Sequence, residues 1–401
     1  MTATHLYDFD TRLNHRAQRS SKWSIYDEDV LPLWVADMDF KAAPAVLEAL
    51  HARVEHGVFG YTSQSNELIE TICARMSNLY DWEVKPEEVI LIPGLVTGLM
   101  IAADAEGKAG DGVLTQTPVY GPFLNVPPER GRFVQSVDLD YVQDDAYTFH
   151  YEFDPVAFEA AITKQTSMLY FCNPHNPAGR IYSKEEIQQI ADICERHNII
   201  ICSDEIHCDL LMDGNKHTPT ASLSPEISQR TITLMAPSKT FNLAGLQGSF
   251  AIIQNKAIRE RFVAAASHMH AYGWGGATLN IFAYEAALAA YQHGGEWLEA
   301  VLAYLQDNRN FARDYIKAHM PGVKTTQPSA TYLLWIDCTD LDLGDQDAQS
   351  FFLKHARVGM NGGNFFGSSP AMNKYVRLNF ACPREVLTEA LERMAAAVQA
   401  L

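Results

Sequence analysis

The sequence has no cluster of lysine and arginine. Its 31 Lys and Arg are outnumbered by 49 Asp and Glu, for a net charge of -18. A phosphate backbone is bound through a basic block, so nucleic acid is not an expected partner. Long apolar runs are also missing: none approaches the ~20 residues that a bilayer crossing needs, and no membrane partner is expected. The first ten residues, Met1 to Asp10, lack the basic-then-apolar order of a secretory signal, which predicts a cytoplasmic protein. Cysteine is sparse. The seven, at positions 73, 172, 194, 202, 208, 338 and 382, are odd in number and lie mostly inside apolar runs. They fit reduced core thiols rather than a disulfide framework. No CxxC pair occurs; Cys202 and Cys208 flank His207, and His268 and His270 sit two apart, but neither spacing makes a metal site and no metal is expected. Internal repeats and low-complexity tracts are absent as well.

What is present is a chain of 401 residues, 47% hydrophobic and 20% charged, long enough for two domains with substantial cores. Its most informative stretch runs from Thr231 to Gly248. The β-rich run Thr231 to Ala236 leads through Pro237-Ser238 to Lys239, which puts a lysine at the end of a buried apolar strand. Desolvation there disfavours the ammonium form and lowers the amine pKa. Such an amine can act as a nucleophile toward a carbonyl; a lysine paired with a carboxylate, or one reaching back to water, would look the same in isolation.

The surrounding elements bear on that choice. Helical spacing runs from Pro44 to Gly57 and, after the Phe59-Gly-Tyr61 turn, from Ser65 to Tyr80. Val89 to Ile92 reads as a strand that passes through Pro93-Gly94 into a helix from Leu95 to Asp104. That junction presents unpaired amides and a positive dipole end to any phosphate. Val113 onward is a strand ending in a loop that carries Tyr120. Met168 to Cys172 ends in Asn173-Pro-His-Asn-Pro-Ala-Gly179, and Asn198 to Cys202 ends in Ser203-Asp204-Glu-Ile-His207. Between them, the capping box Ser183-Lys-Glu-Glu186 opens a helix through Arg196. Near-continuous apolar strands alternating with helices predict an α/β fold, with a mostly parallel sheet covered on both faces and ligands gathered outside the carboxyl ends of the strands. Asn176, Asp204 and Lys239 would converge there.

Further on, Ser249 to Ile253 reads as a strand and Ile258 to His268 as a helix. Tyr272-Gly-Trp-Gly-Gly276 breaks the chain before helical regions from Thr278 and from Trp297 to Ala318. Strand-like Thr331 to Ile336 and Tyr375 to Phe380 flank a glycine-rich loop at 361–367, and a helix from Arg384 to Leu401 closes the chain. A boundary near 285–295 divides it into an N-terminal arm contributing to a small domain (1–45), a large domain (46–288) and a small C-terminal domain (289–401).

These residues suit pyridoxal phosphate. Its aldehyde would couple to Lys239, and a buried Asp204 would keep its ring nitrogen protonated. Asn176 could donate to the ring hydroxyl, Tyr120 could stack on the ring, and the Gly94 turn with Ser238 could hold the phosphate. Pro93-Gly-Leu-Val96, Thr117-Pro-Val-Tyr120, the 173–179 and 203–207 segments and Ser238 to Gln247, in this order and spacing, resemble a fold-type I pyridoxal phosphate enzyme of the class I/II aminotransferase group. Leu33-Trp-Val-Ala-Asp-Met-Asp-Phe40, Asp204 to His207 and Arg377 to Arg384 resemble more narrowly the MalY/PatB cystathionine β-lyase branch.

The resemblance covers almost the whole chain, and it implies a seven-stranded large domain and a smaller αβ domain built from both termini. It further implies that Lys239 anchors the cofactor and moves protons, and that Asp204 pairs the ring nitrogen. Asn176 and His207 would lie near the ring hydroxyl, Tyr120 would stack, and the Leu95 and Val96 amides with Ser238 would bind phosphate. Arg377, with Ala36 and Asn176, would clamp the α-carboxylate of an amino-acid substrate. Tyr61 would reach the phosphate of the partner subunit in a homodimer. As plain structure, Asp204 reads as a helix cap, His207 as a core histidine and Arg377 as a surface ion pair. Many aminotransferases carry a hydroxyl three residues before the lysine and an arginine eight after it; here those positions are Ala236 and Gln247, which agrees with the lyase branch. The expected reaction is β-elimination of a thiol from cystathionine or a cysteine S-conjugate, giving pyruvate and ammonia. Aminotransferase activity and a regulatory role binding a transcription factor are the alternatives.

Overall fold

The structure, a computed structural model, describes residues 7–271 and 279–401. The expected break at Tyr272 to Gly276, and the helix start at Thr278, lie outside the described residues.

Seven strands form the larger sheet: β1 (Val89–Pro93), β2 (Gly112–Thr117), β3 (Phe133–Asp138), β4 (Thr166–Cys172), β5 (Ile200–Asp204), β6 (Thr231–Met235) and β7 (Gly248–Ile252). Their spatial order is β1-β7-β6-β5-β4-β2-β3. β7 runs antiparallel to both neighbours, and the other pairings are parallel. In β4 the side chains alternate, as the two-residue period requires. Met168, Tyr170 and Cys172 pack in one apolar cluster with Leu99 of helix Leu95–Ala105 and Phe262 of helix Lys256–His268. Leu169 and Phe171 face the other way, onto Ile187 and Ile190 of helix Lys184–Arg196. That helix starts at the expected box: the Ser183 hydroxyl accepts from the Glu186 amide at 3.1 Å, and Glu186 accepts from the Ser183 amide at 2.8 Å. Helix Leu95–Ala105 lies tight on the sheet, since a Cβ at Gly98 would come 2.7 Å from Ile92 Cδ1. A larger residue there would force the Ile92 and Leu234 side chains to shift.

Most strands were legible as apolar runs, but β3 was not. It is the edge strand, half-buried along most of its length, and so lacks the continuous apolar signature of its neighbours. Two further departures are local. Asp204 is the last residue of β5 rather than part of the loop beyond it, and the helix expected from Trp297 to Ala318 spans Gly295–His319.

The smaller sheet consists of β8 (Lys324–Thr325), β9 (Leu333–Asp337), β10 (Asn361–Gly362) and β11 (Tyr375–Asn379), antiparallel in the order β8-β9-β11-β10. The N-terminal region packs with the C-terminal part: Leu31 and Pro32 pair in parallel with Val358 and Gly359 as a separate two-stranded sheet, and Phe9, Leu33 and Phe40 share an apolar cluster with Leu387 and Leu391 of helix Arg384–Gln399. Among the described residues, no helix is long and apolar enough to cross a membrane.

Between the two sheets runs a strap, residues 34–40, whose backbone polar groups are taken up by side chains from several elements. Asn379 donates to the Val35 and Asp37 carbonyls at 2.5 and 2.6 Å. Asn242 accepts from the Met38 amide at 3.0 Å and donates to the Met38 and Phe40 carbonyls at 2.9 and 3.0 Å. Asn361 donates to the Trp34 carbonyl at 3.2 Å. Beneath the strap, Lys22 is fully buried, with its Nζ 3.0 Å from Asp39 Oδ2 and 3.4 Å from Asp37 Oδ1. Burial works against the Lys22 charge, and Asp39 and then Asp37 more than offset it, which holds the ammonium above its ordinary range. Replacing Lys22 by Met leaves Asp39 buried without its cation, and is expected to cost about 3–5 kcal/mol. A lowered midpoint in urea unfolding, with an unchanged slope, checks this.

Candidate functional site

One pocket of about 310 Å³ opens between the sheets at the carboxyl ends of the parallel strands, within the size range of small-ligand sites. Its lining brings together Ala36, Leu95, Val96, Tyr120, Asn176, Asp204, His207, Ser238, Lys239 and Arg377. Tyr61 is not among them; its side chain is 96% exposed. The convergence follows from the topology. β2, β4, β5 and β6 are parallel, so the residues that follow them (Tyr120, Asn176, His207 and Lys239), together with Asp204 at the tip of β5, emerge at one edge. β7 enters antiparallel, with Gly248 opposite Pro93 and Ser249 opposite Ile92, which brings the 247–249 segment to the same edge.

Lys239 sits on the short helix Pro237–Thr240 directly after β6. Its Nζ donates to the Ala36 carbonyl at 2.5 Å. Burial lowers its amine to about 8, against the opposing pull of Asp37. A substantial neutral fraction is therefore present near pH 8, as a nucleophilic amine requires. Asp204 is buried, and burial raises its carboxyl to about 7; its Oδ1 accepts from the Ile206 amide at 3.1 Å. His207 is held neutral, burial lowering its imidazole to about 3. Its Nδ1 is buried without a hydrogen-bond partner, and its ring meets the Tyr332 ring edge-on at 6.2 Å.

Arg377 comes from β11 of the smaller sheet and is buried, with its guanidinium lowered by desolvation to about 10. One nitrogen donates to Asn176 Oδ1 at 2.9 Å and another to the Trp34 carbonyl at 2.8 Å, and the group lies 4.9 Å over the Phe366 ring. A guanidinium held on two sides in this way presents its remaining donors in a fixed direction, suited to a carboxylate. Asn176 spends its oxygen on Arg377, which leaves its amide nitrogen to donate into the pocket.

At the opposite end, Gly94 adopts φ 100°, where a side chain is strained, and starts helix Leu95–Ala105. The first amides of that helix have no intrahelical acceptor, and Leu95 and Val96 line the pocket together with Ser238. The site therefore offers amide and hydroxyl donors at one end, an arginine at another, and a buried acid facing a lysine between them. An unpaired buried acid and an orphaned imidazole nitrogen call for a polar partner. A pyridoxal phosphate group fits this lining: its phosphate suits the helix start, its ring nitrogen suits Asp204, and its aldehyde suits Lys239.

The pocket also contains residues that sequence reasoning left without a role: Trp34, Ile206, Gln247, Ser249, Asn361 and Phe365. The glycine-rich 361–367 loop signalled the last two only as a loop. Its proximity to Tyr120, whose ring meets Phe365 edge-on at 5.9 Å, is tertiary information. Gln247 takes φ 58° and lines the pocket wall.

The family model for class I and II aminotransferases matches residues 28–394. The chain is 38% identical to the cystathionine β-lyase PatB of Bacillus subtilis over 98% of its length and 100% of that protein. Among solved structures, OvoB superposes with a TM-score of 0.91 at 39% identity, over 98% of this chain and 100% of that one. The pyridoxal phosphate-bound C–S lyase of Staphylococcus hominis superposes at 0.88 and 31% identity, over 98% and 99%.

The raised pKa of Asp204 has a stability consequence. The carboxyl binds its proton more tightly folded than unfolded, so its ionisation penalises the cofactor-free fold fully above pH 7 and not at all below the ordinary carboxyl range near pH 4. Asp204→Asn removes that penalty. The cofactor-free variant is expected to be about 2–4 kcal/mol more stable than the parent at pH 8. The gap should close as the pH falls from 7 toward 4, as urea melts across that range would report.

Proposed function

The chain belongs to the class I and II aminotransferase family, and we propose that within it the protein is a pyridoxal phosphate-dependent carbon–sulfur β-lyase. Its substrate is cystathionine or another cysteine S-conjugate, which with one water yields a thiol, pyruvate and ammonia. The observation that carries this reading is the single pocket holding a desolvated lysine, a buried acid and a clamped arginine, in a chain so similar along its whole length to a cystathionine β-lyase.

When bound, the cofactor supplies an electron-accepting ring that takes up the electron pair left at the substrate Cα. Lys239 anchors it through the amine and, once released by the substrate, takes the proton from Cα and delivers one to the departing sulfur. Asp204 keeps the ring nitrogen protonated, and Tyr120 stacks on the ring. Asn176 and the neutral His207 would hold the cofactor on its ring-hydroxyl side. The Leu95 and Val96 amides and the Ser238 hydroxyl bind the phosphate. Arg377, set by Asn176 and Trp34, binds the α-carboxylate next to the Ala36 backbone and so orients the Cα–H bond. The chain divides into an arm (1–45), a cofactor-binding unit (46–288) and a C-terminal unit (289–401), all three of which contribute to the substrate pocket. It works in the cytoplasm as a homodimer in which Tyr61, with its nearly bare ring, reaches the partner's phosphate.

Purified protein supplied with pyridoxal phosphate and L-cystathionine is expected to release pyruvate and a free thiol. Lys239→Ala should lose at least about a hundredfold of that rate. No pyruvate, together with amino transfer to 2-oxoglutarate, would overturn the lyase reading in favour of a transaminase. For the dimer, Tyr61→Ala is expected to lose the cofactor more readily on dialysis. Hybrids of Tyr61→Ala with Lys239→Ala chains should regain pyruvate release, because each hybrid holds one site with both residues intact; hybrids without activity would sink the shared-site arrangement.

A further inference from the structure

Behind the Lys239 amine lies a charge cluster with no part in the reaction as described above. Lys22, buried under the strap, serves two carboxylates at once. Asp39 is closed off: its second oxygen accepts from Trp23 Nε1 at 2.9 Å and has His15 Nε2 at 3.7 Å. Asp37 is placed differently. Its Oδ1 is buried and has no hydrogen-bond partner, only the Lys22 ammonium at 3.4 Å. The residue directly follows Ala36, whose carbonyl accepts from Lys239 Nζ at 2.5 Å and from the Tyr332 hydroxyl at 2.9 Å. The Asn379 bonds to the Val35 and Asp37 carbonyls pin the backbone on both sides of that contact. Two acids share one lysine, so a surplus negative charge is held on the strap one residue from the carbonyl that receives the Lys239 amine.

We propose that Asp37 is a positioning residue for Lys239, the fixed counter-charge of its ammonium form, and that Lys22 keeps this carboxylate ionised and aimed. The proposal rests on Lys239 being the cofactor's covalent anchor. The need for it follows from the charges in the pocket. When the amine takes a proton from the substrate, a new cation appears in a site that already holds Arg377. Asp204 is then engaged with the ring nitrogen, and His207 is neutral. Asp37 is the remaining anion acting on the amine, and it favours the protonated form at the moment of proton transfer without touching substrate. The groups whose charge or titration is coupled to Lys239 are Asp37, Arg377, Asp204 and His207; those coupled to Asp37 are Lys22, Asp39, Lys239 and the Tyr332 phenol. The direction of the effects agrees: Asp37 raises the basicity that burial takes from Lys239, and Lys22 opposes the rise that burial imposes on the Asp37 carboxyl.

The test reads the amine itself. Cofactor-free protein is mixed with pyridoxal phosphate, and the rate at which the absorbance of the lysine-bound form appears is followed against pH. The rate rises as the amine loses its proton, with a midpoint expected near the pKa of about 8. In Asp37→Asn, which keeps size and loses charge, the midpoint is expected to fall by about half a pH unit or more, while Asp37→Glu stays near the parent. Asp37→Ala serves as the second charge-free variant, and all variants are checked for native circular dichroism. A folded charge-free variant whose midpoint is unmoved or higher overturns the proposal. Borohydride reduction and peptide mapping of the parent separate the two failures. A label away from Lys239 sinks the anchor reading, whereas a label on Lys239 with an unmoved midpoint sinks only the role of Asp37.

Discussion

Three ionisable side chains, Asp204, Lys239 and Arg377, have been drawn out of water into one pocket, and much of the molecule exists to keep them there. Each pays a desolvation penalty that appears as a displaced pKa, upward for the acid and downward for the two bases. A fold can sustain such groups only if neighbouring structure is rigid enough to stop them reaching solvent. The seven-stranded sheet provides this for Asp204 and Lys239, which sit at the ends of adjacent strands packed on both faces. Arg377 comes from a different sheet and is locked by an asparagine from the first and a carbonyl of the strap.

The strap is the joint between the two halves of the site. Its backbone is satisfied by Arg377, Asn379, Asn361, Tyr332, Asn242 and Lys239, contributed by both sheets and the loops between them. A segment without regular structure would ordinarily leave its carbonyls to water; here those of residues 34–38 and Phe40 receive side-chain donors. That matching places the Ala36 carbonyl on the lysine amine and the Trp34 carbonyl on the arginine. Lys22, with its two carboxylates, performs the corresponding task for side-chain charge.

Stability and chemistry pull in opposite directions at this site. An unpaired buried acid is a burden on the empty protein and an asset once a protonated ring nitrogen faces it. A lysine made less basic by burial is a better nucleophile and a poorer proton acceptor. The nearby carboxylate of Asp37 moderates the second effect. These are the compromises expected where local rules of burial are broken for function.

The alternation of apolar runs with helical spacing was enough to read the α/β class, the parallel sense of most of the large sheet and the edge where ligands gather, because strands covered on both faces read as near-continuous apolar runs that local sequence displays. The same pattern put Asn176, Asp204 and Lys239 at strand ends. The edge strand β3 escaped because half of its surface is open to solvent, and the antiparallel sense of β7 escaped because direction leaves no mark in an apolar run. Tertiary structure alone decided what lies across the pocket from what. Arg377 meets Asn176 from 201 positions away, the 34–40 strap passes the lysine from a segment 203 positions distant, and Phe365 closes on Tyr120. Such contacts depend on how two separately coded sheets dock, which no local period encodes, and it is this docking that turns three displaced pKa values into one site.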